Sequence, residues 1–171
     1  KYDDFDAFII LHGTNTMGYT AAALTFALED INKPVILTGA QVPLGYLGTD
    51  SVTNLVNSLR MAVWGYHEIK GVMAVFGSRI ITGARVKKGT DFDYDPFRAF
   101  QAGSLGEIGR FMRIDEPAMK KHTAYLSKYK PLAIQSRVLS VKKDFETKNI
   151  VSLTEFPGMS ADIFQSLVEN S

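Results

Sequence analysis

The sequence predicts an α/β fold in which a mainly parallel sheet is flanked by helices. Short apolar runs rich in strand-forming residues recur at Phe8–Leu11, Val35–Thr38 and Val72–Phe76, and their uniform hydrophobicity is typical of strands buried on both faces. Segments with helical spacing separate these runs. Strands that alternate with helices in this way indicate βαβ units, in which parallel strands are joined by right-handed crossovers.

The first βαβ unit begins with Phe8–Leu11 and is closed by His12-Gly13-Thr14. Thr16 occupies the position of a helix N-cap. Apolar residues then recur at helical spacing, namely Met17, Ala21, Leu24 and Leu28. Asn32-Lys33-Pro34 ends this helix, because proline cannot continue it, and the second buried strand follows.

The second unit repeats the pattern after a loop rich in glycine and proline at Ala40–Gly48. Asp50 is expected to cap a helix whose apolar positions are Leu55, Leu59 and Val63. The third strand, Val72–Phe76, comes next, and Arg79–Lys88 reads as an irregular strand interrupted by Gly83.

The remaining sequence predicts the domain organisation. Residues 1–118 are expected to form part of an N-terminal α/β domain, and the polar residues 119–149 a linker region, with a Lys-rich surface crossing at 120–130. Residues 150–171 predict the start of a smaller α/β domain, with a strand at Ile150–Leu153 and a helix at Ser160–Val168. Because no strand returns after this helix, we expect this domain to be truncated.

Composition excludes several functional classes. With 19 basic and 18 acidic residues and no Lys/Arg run longer than two, the sequence does not predict a nucleic-acid partner. No apolar run is long enough to predict a membrane span. The absence of cysteine excludes disulfides and a cysteine nucleophile, and it fits a cytoplasmic location.

No metal or cofactor is predicted. His12, His67 and His122 do not have the spacing of metal ligands. Asp91-Phe92-Asp93-Tyr94-Asp95 imitates the start of a calcium loop, but Pro96 and Ala102 replace the glycine and glutamate that such a loop needs. This segment therefore reads as a solvated acidic loop.

Ligands of open α/β sheets bind at the carboxyl ends of the strands. Three segments fall at such ends: His12–Thr16, Thr38–Gln41 and Arg85–Lys88. Thr14 offers a hydroxyl where Gly13 permits an unusual backbone, and a nearby lysine would be able to accept its proton. Capping of the following helix is the commoner role for Thr14 and Thr16, and spacing alone does not decide between the two.

The segment Asp6–Met17, which reads D-A-F-I-I-L-H-G-T-N-T-M, resembles the second signature of the bacterial-type asparaginase family, D-G-x-V-x-x-H-G-T-D-T-M. Further blocks that resemble the family follow in the family's order across almost the whole chain. They are Lys33–Gln41, Asp50 with Asn54-Leu55, Gly83 with Arg85 and Lys88, Phe97–Phe100 and Phe156–Ala161.

This resemblance implies an amidohydrolase that converts L-asparagine to L-aspartate and ammonia through a threonine-based acyl-enzyme. It also implies a small amino-acid substrate and active sites between paired subunits, in a homodimer or homotetramer. Thr14 matches the family's second threonine, and Lys88 matches its lysine in the spacing G-x-R-x-x-K. Gly13 and Ala40 would line the substrate through their backbones, with the Ala40 carbonyl facing the amide nitrogen.

Two departures from the family bear on activity. No segment matches the signature T-G-G-T-I of the family's usual nucleophile, which we expect upstream, so the fragment itself is expected to be inactive. Asn15 occupies the position of the family's aspartate, a substrate-binding residue, and it keeps an acceptor oxygen without the charge. The alternatives are an ammonia-releasing subunit of a glutamyl-tRNA amidotransferase and a non-catalytic homologue that binds ligands.

Overall fold

The computed structural model describes residues 4–28, 31–65 and 69–128, together with Asp162. The helices are α1 (Met17–Ala27), α2 (Ser51–Gly65) and α3 (Glu116–Lys128). The strands are β1 (Phe8–Leu11), β2 (Pro34–Thr38), β3 (Gly71–Phe76), β4 (Arg79–Thr82), β5 (Val86–Lys88), β6 (Phe97–Ala99), β7 (Ser104–Ile108) and β8 (Met112–Ile114). A turn of 3₁₀ helix at Gly83–Arg85 separates β4 from β5, where the sequence predicted an interruption.

The α/β class is confirmed. Six strands form one sheet in the order β1-β2-β3-β4-β7-β8, and β5 pairs with β6 in a separate two-stranded sheet. The predicted parallel pairing holds for β1, β2 and β3, whereas the other strands pair antiparallel, so the sheet is mixed. The change occurs after β3 because only two residues, Gly77 and Ser78, lead into β4, and so short a connection joins antiparallel strands.

The two crossovers differ in hand. Helix α1 packs on the face of the sheet that carries Val35 and Val72, whereas α2 packs on the opposite face, with Ile36 and Met73. Both crossovers step along the sheet in the same direction, from β1 to β2 and from β2 to β3. Equal steps with helices on opposite faces have opposite hands, so the expected right-handed crossover holds for only one of them.

Helix α2 turns its predicted apolar positions away from the sheet. Leu55, Leu59 and Val63 are 38%, 49% and 74% exposed, while Met61 and Ser58 are fully buried. The buried side is partly polar because its side chains bind backbone groups near the sheet; the Asn54 side chain, for example, donates to the Gly39 carbonyl (2.9 Å). The apolar spacing of α2 therefore marks its outer face.

Helix α3 extends to Lys128, so the first part of the predicted linker is helical. The buried His122 binds α3 to the sheet, with its Nε2 3.0 Å from the Lys70 carbonyl and its Nδ1 3.4 Å from Thr82 Oγ1. The chain divides into compact units of residues 1–141 and 142–171, and all the helices and strands given above belong to the first. The strand predicted at Ile150–Leu153 and the helix at Ser160–Val168 lie outside the described residues, apart from Asp162.

Candidate active site

The carboxyl ends of β1 and β2 lie against each other. The His12 amide donates to the Thr38 carbonyl (2.8 Å), which continues the parallel pairing one residue beyond β1. A Cβ atom on Gly39 would lie only 2.1 Å from the His12 carbonyl oxygen, so this approach requires glycine. Gly13 and Ala40 lie two residues beyond the ends of β1 and β2, next to His12 and Gly39, so both predicted substrate-lining residues lie beside this contact.

The turn from β1 into α1 carries Thr14, Asn15 and Thr16. Thr16 occupies the N-cap position, but its hydroxyl makes no capping hydrogen bond. The Thr14 hydroxyl accepts a hydrogen bond from Lys88 instead. The capping interpretation that the sequence left open therefore does not describe the observed bonding of these two hydroxyls.

Lys88 reaches this turn from β5. Its Nζ donates to Thr14 Oγ1 (2.9 Å) and to Asn15 Oδ1 (2.7 Å), across more than seventy residues of sequence. Strand β5 comes this near because Gly18, in the first turn of α1, has no side chain: a Cβ there would lie 2.6 Å from the Val86 carbonyl oxygen. The side chain of Lys88 is 17% exposed. Lys87 is exposed, because adjacent residues of a strand point to opposite faces and Lys88 points toward the turn.

A carboxylate that the sequence analysis did not assign to the site pairs with the same lysine. Asp91 forms an ion pair with Lys88. The sequence predicted a solvated acidic loop here, and the 86% exposure of the Asp91 side chain agrees with that prediction. The contact between Asp91 and Lys88 was not predicted. The only sequence signal was the position of Asp91 three residues after Lys88, and such a spacing is not specific.

A polar network holds the loop that contains Ala40. The carboxylate of Asp50 accepts hydrogen bonds from the amides of Gln41 (3.0 Å to each oxygen) and Val42 (2.9 Å). Asn54 Nδ2 donates to the same carboxylate (2.9 Å). Asp50 was expected to cap α2; it does precede the helix, but its carboxylate binds the amides of the loop on the other side. The loop after β2 is thereby fixed beside the Thr14 turn.

Gln41 joins this loop to the segment after β5. Its Nε2 donates to the backbone carbonyls of Asp91 (3.3 Å) and Asp93 (3.1 Å). His12 supports the other side of the site, since its Nε2 lies 2.9 Å from the hydroxyl of Thr20 in α1. Within the residues that the structure describes, no group of three or more His, Cys, Asp or Glu side chains has the arrangement of a metal site.

The contact between a threonine hydroxyl and a lysine amine lies at the carboxyl ends of strands in an open sheet, where the ligands of such α/β folds bind. The family model "Asparaginase, N-terminal" matches residues 1–120. The L-asparaginase 1 of Escherichia coli K12 is 36% identical over 168 residues, which cover 98% of this chain and 45% of the relative. The chain belongs to the asparaginase family.

Two further relatives extend the comparison. The crystal structure of L-asparaginase I from Vibrio cholerae superimposes with a TM-score of 0.68 and 31% identity, over 96% of this chain and 46% of that one. One subunit of the glutamyl-tRNA(Gln) amidotransferase of Thermococcus kodakarensis is 30% identical over 97% of this chain and 36% of its own length. The chain thus spans about half the length, or less, of the curated relatives it matches.

Proposed function

We propose that the full-length protein is an L-asparaginase, which hydrolyses the side-chain amide of L-asparagine to L-aspartate and ammonia. The observation that carries this proposal is the hydrogen bond between Lys88 Nζ and Thr14 Oγ1 at a turn that matches the family's signature. A lysine held on a hydroxyl is the arrangement that activates a weak nucleophile. Membership of the asparaginase family supports the reaction class.

In this proposal Thr14 is the activated hydroxyl, and Lys88 in its neutral amine form takes the Thr14 proton and becomes an ammonium group. The oxygen of the attacking threonine, either Thr14 or the upstream threonine that the family resemblance predicts, adds to the amide carbon. The carbon–nitrogen bond then breaks, and the nitrogen leaves as ammonia after it takes the proton back from Lys88. Water then cleaves the acyl ester and releases L-aspartate. The backbones of Gly13 and Ala40 line the substrate, because both lie just beyond strand ends at the same edge of the sheet.

Asn15 binds the substrate in this proposal, on the strength of its shared contact with Lys88. Its amide offers a neutral acceptor to the substrate's ammonium group, which is weaker than a carboxylate. A non-catalytic, ligand-binding homologue is therefore the natural rival. Binding of L-aspartate by the full-length protein without turnover of L-asparagine would favour that rival.

A second candidate follows from the similarity to the amidotransferase of Thermococcus kodakarensis. A protein of this kind would release ammonia from an amide for transfer to glutamyl-tRNA. The experiment that separates the two functions measures ammonia release from L-asparagine and L-glutamine by the full-length protein, with and without the partner subunits and glutamyl-tRNA. An L-asparaginase releases ammonia from L-asparagine without them.

The assembly and location that we propose are a cytoplasmic homodimer or homotetramer. The exposed apolar residues on the outer face of α2 support self-association. The absence of cysteine, together with a similar chain from Campylobacter jejuni that is described as a probable cytoplasmic L-asparaginase, supports the location. Among the described residues no helix is long and apolar enough to cross a membrane. We also retain, as a proposal, that a smaller α/β domain begins at residue 150.

A further inference from the structure

We propose that Asp91 is a positioning residue of this site, and that it supplies to Lys88 the carboxylate that position 15 of this chain lacks. The inference rests on the proposed function. Asn15 presents only an amide oxygen to the lysine, whereas Asp91 forms an ion pair with the same ammonium group. The charge partner of Lys88 therefore comes from the segment after β5 and not from the turn before α1.

The hydrogen-bonding capacity of Lys88 supports this assignment. An ammonium group has three N–H donors. Its three acceptors in the structure are Thr14 Oγ1, Asn15 Oδ1 and Asp91 Oδ1, of which only the last is charged. Lysine donors rotate freely on a flexible stem, so a charged acceptor does most to hold the amine on its neighbours.

A role in stability alone does not account for the pair. The Lys88 side chain is 17% exposed, but that of Asp91 is 86% exposed. Ion pairs with an exposed partner contribute little to the free energy of unfolding, because water screens them. We therefore assign two effects to the contact: it orients Lys88 toward Thr14, and it balances the charge of the Lys88 amine.

The backbone around Asp91 is anchored independently of its carboxylate. The Gly89 amide donates to the Pro96 carbonyl (2.8 Å), which closes the base of the loop. The Thr90 hydroxyl accepts a hydrogen bond from the Phe92 amide (3.0 Å), and Gln41 Nε2 binds the Asp91 and Asp93 carbonyls. An asparagine at position 91 would thus keep the loop in place while removing the charge.

Positions 15 and 91 are therefore expected to be coupled. An aspartate at position 15 would place a carboxylate where the Asn15 oxygen now meets Lys88, so it would take over the role of Asp91. Residues that share a partner have effects that do not add. This coupling separates the proposal from a general loss caused by any change near the site.

The test compares four full-length proteins: wild type, Asp91→Asn, Asn15→Asp and the double variant. With L-asparagine, Asp91→Asn is expected to lower kcat by at least about tenfold, with a smaller change in KM, because it disturbs orientation rather than binding. In the Asn15→Asp background the same change should alter kcat by less than about twofold. Asp93→Asn, an exposed neighbour whose carboxylate makes no contact with Lys88, is the matched control and should retain wild-type kcat.

Equal losses from Asp91→Asn in the two backgrounds, or no loss in wild type, would overturn the proposal. A second measurement tests the ion pair without catalysis: acetylation of Lys88 by acetic anhydride, followed by mass spectrometry with the exposed Lys87 as internal reference. Asp91→Asn should raise the Lys88/Lys87 labelling ratio, and adding Asn15→Asp should restore it. If wild type does not hydrolyse amides but the variants show this labelling pattern, the proposed function fails and the pairing of Lys88 with Asp91 stands. If Asp91→Asn leaves the labelling ratio unchanged, the pairing is overturned.

Discussion

At the scale of single residues, the site depends on which of two adjacent lysines faces Thr14. Lys88 makes that contact, and Lys87 is exposed on the other side of β5. Alternation along a strand places neighbouring side chains on opposite faces, so the two positions form a natural pair for comparison.

Lys88→Met in the full-length protein should remove most of the activity, because no amine would remain to draw the Thr14 proton. Lys87→Met should change activity little. Ammonia release from L-asparagine measures both effects, and urea unfolding of each variant checks that the fold is retained. Equal losses from the two substitutions would mean that the assigned roles of the lysines are wrong.

Asn15→Asp should raise kcat/KM for L-asparagine. The added carboxylate would pair with the substrate's ammonium group in a partly desolvated site, and hydrogen bonds to charged groups contribute about 1.5–3 kcal/mol. A tenfold gain, equivalent to about 1.4 kcal/mol, is the expected size. Unchanged kcat/KM for L-asparagine, in a wild type that hydrolyses another amide well, would instead make Asn15 a specificity residue.

At the scale of elements, α3 is held to the sheet by a buried histidine. Burial lowers the pKa of His122 below its usual value of 6.5, because the imidazolium loses hydration; the hydrogen bond to the Lys70 carbonyl opposes this effect and is the smaller cause. The neutral ring therefore predominates in the folded protein at neutral pH.

This histidine should make stability depend on pH. As pH falls through about 6.5, His122 takes up a proton in the unfolded chain before it does so in the folded one, so its contribution is fully present above that pH and declines below it. His122→Gln should reduce the loss of stability between about pH 7.5 and pH 5.5. Urea midpoints of both full-length proteins across this range measure the effect, and parallel curves would contradict the assignment.

At the scale of the whole molecule, α2 presents opposite faces with different roles. Met61 is fully buried against the sheet, while Leu59 and Val63 are 49% and 74% exposed. Val56, Leu59, Val63 and Trp64 of this outer face also line a shallow apolar groove, together with Arg60 and Met112. An apolar surface of this kind is typical of association sites.

Charges on this outer face should weaken self-association. We expect Leu59→Glu combined with Val63→Glu to shift the full-length protein toward smaller species in sedimentation velocity, with only a small loss of stability. Met61→Ala is the contrasting variant on the same helix; it should lower the free energy of unfolding by about 2–5 kcal/mol. An unchanged sedimentation coefficient for the double glutamate variant would exclude this face as the interface.

The fold class and the candidate site residues could be predicted from the sequence, because each prediction depends on local pattern. Uniform apolar runs predicted β1, β2 and β3, and the family signatures singled out Thr14 and Lys88. Local pattern did not predict the antiparallel half of the sheet. Apolar runs show where strands lie in the sequence, but not which strands pair or in which direction. Nor did it predict that the two crossovers have opposite hands. The apolar spacing of α2 identifies one face of the helix, but it does not show whether that face packs on the sheet.

The sequence by itself determined the family, the parallel strands and the residue types of the site. Only the tertiary structure decided that Asp91 pairs with Lys88, that Gln41 holds the segment carrying Asp91, and that the carboxylate of Asp50 binds a loop instead of capping α2. In each of these contacts a side chain meets a group on a separate loop, or the end of a long lysine side chain. Such partners depend on where the chain places loop ends in space, which residue type and periodicity do not encode.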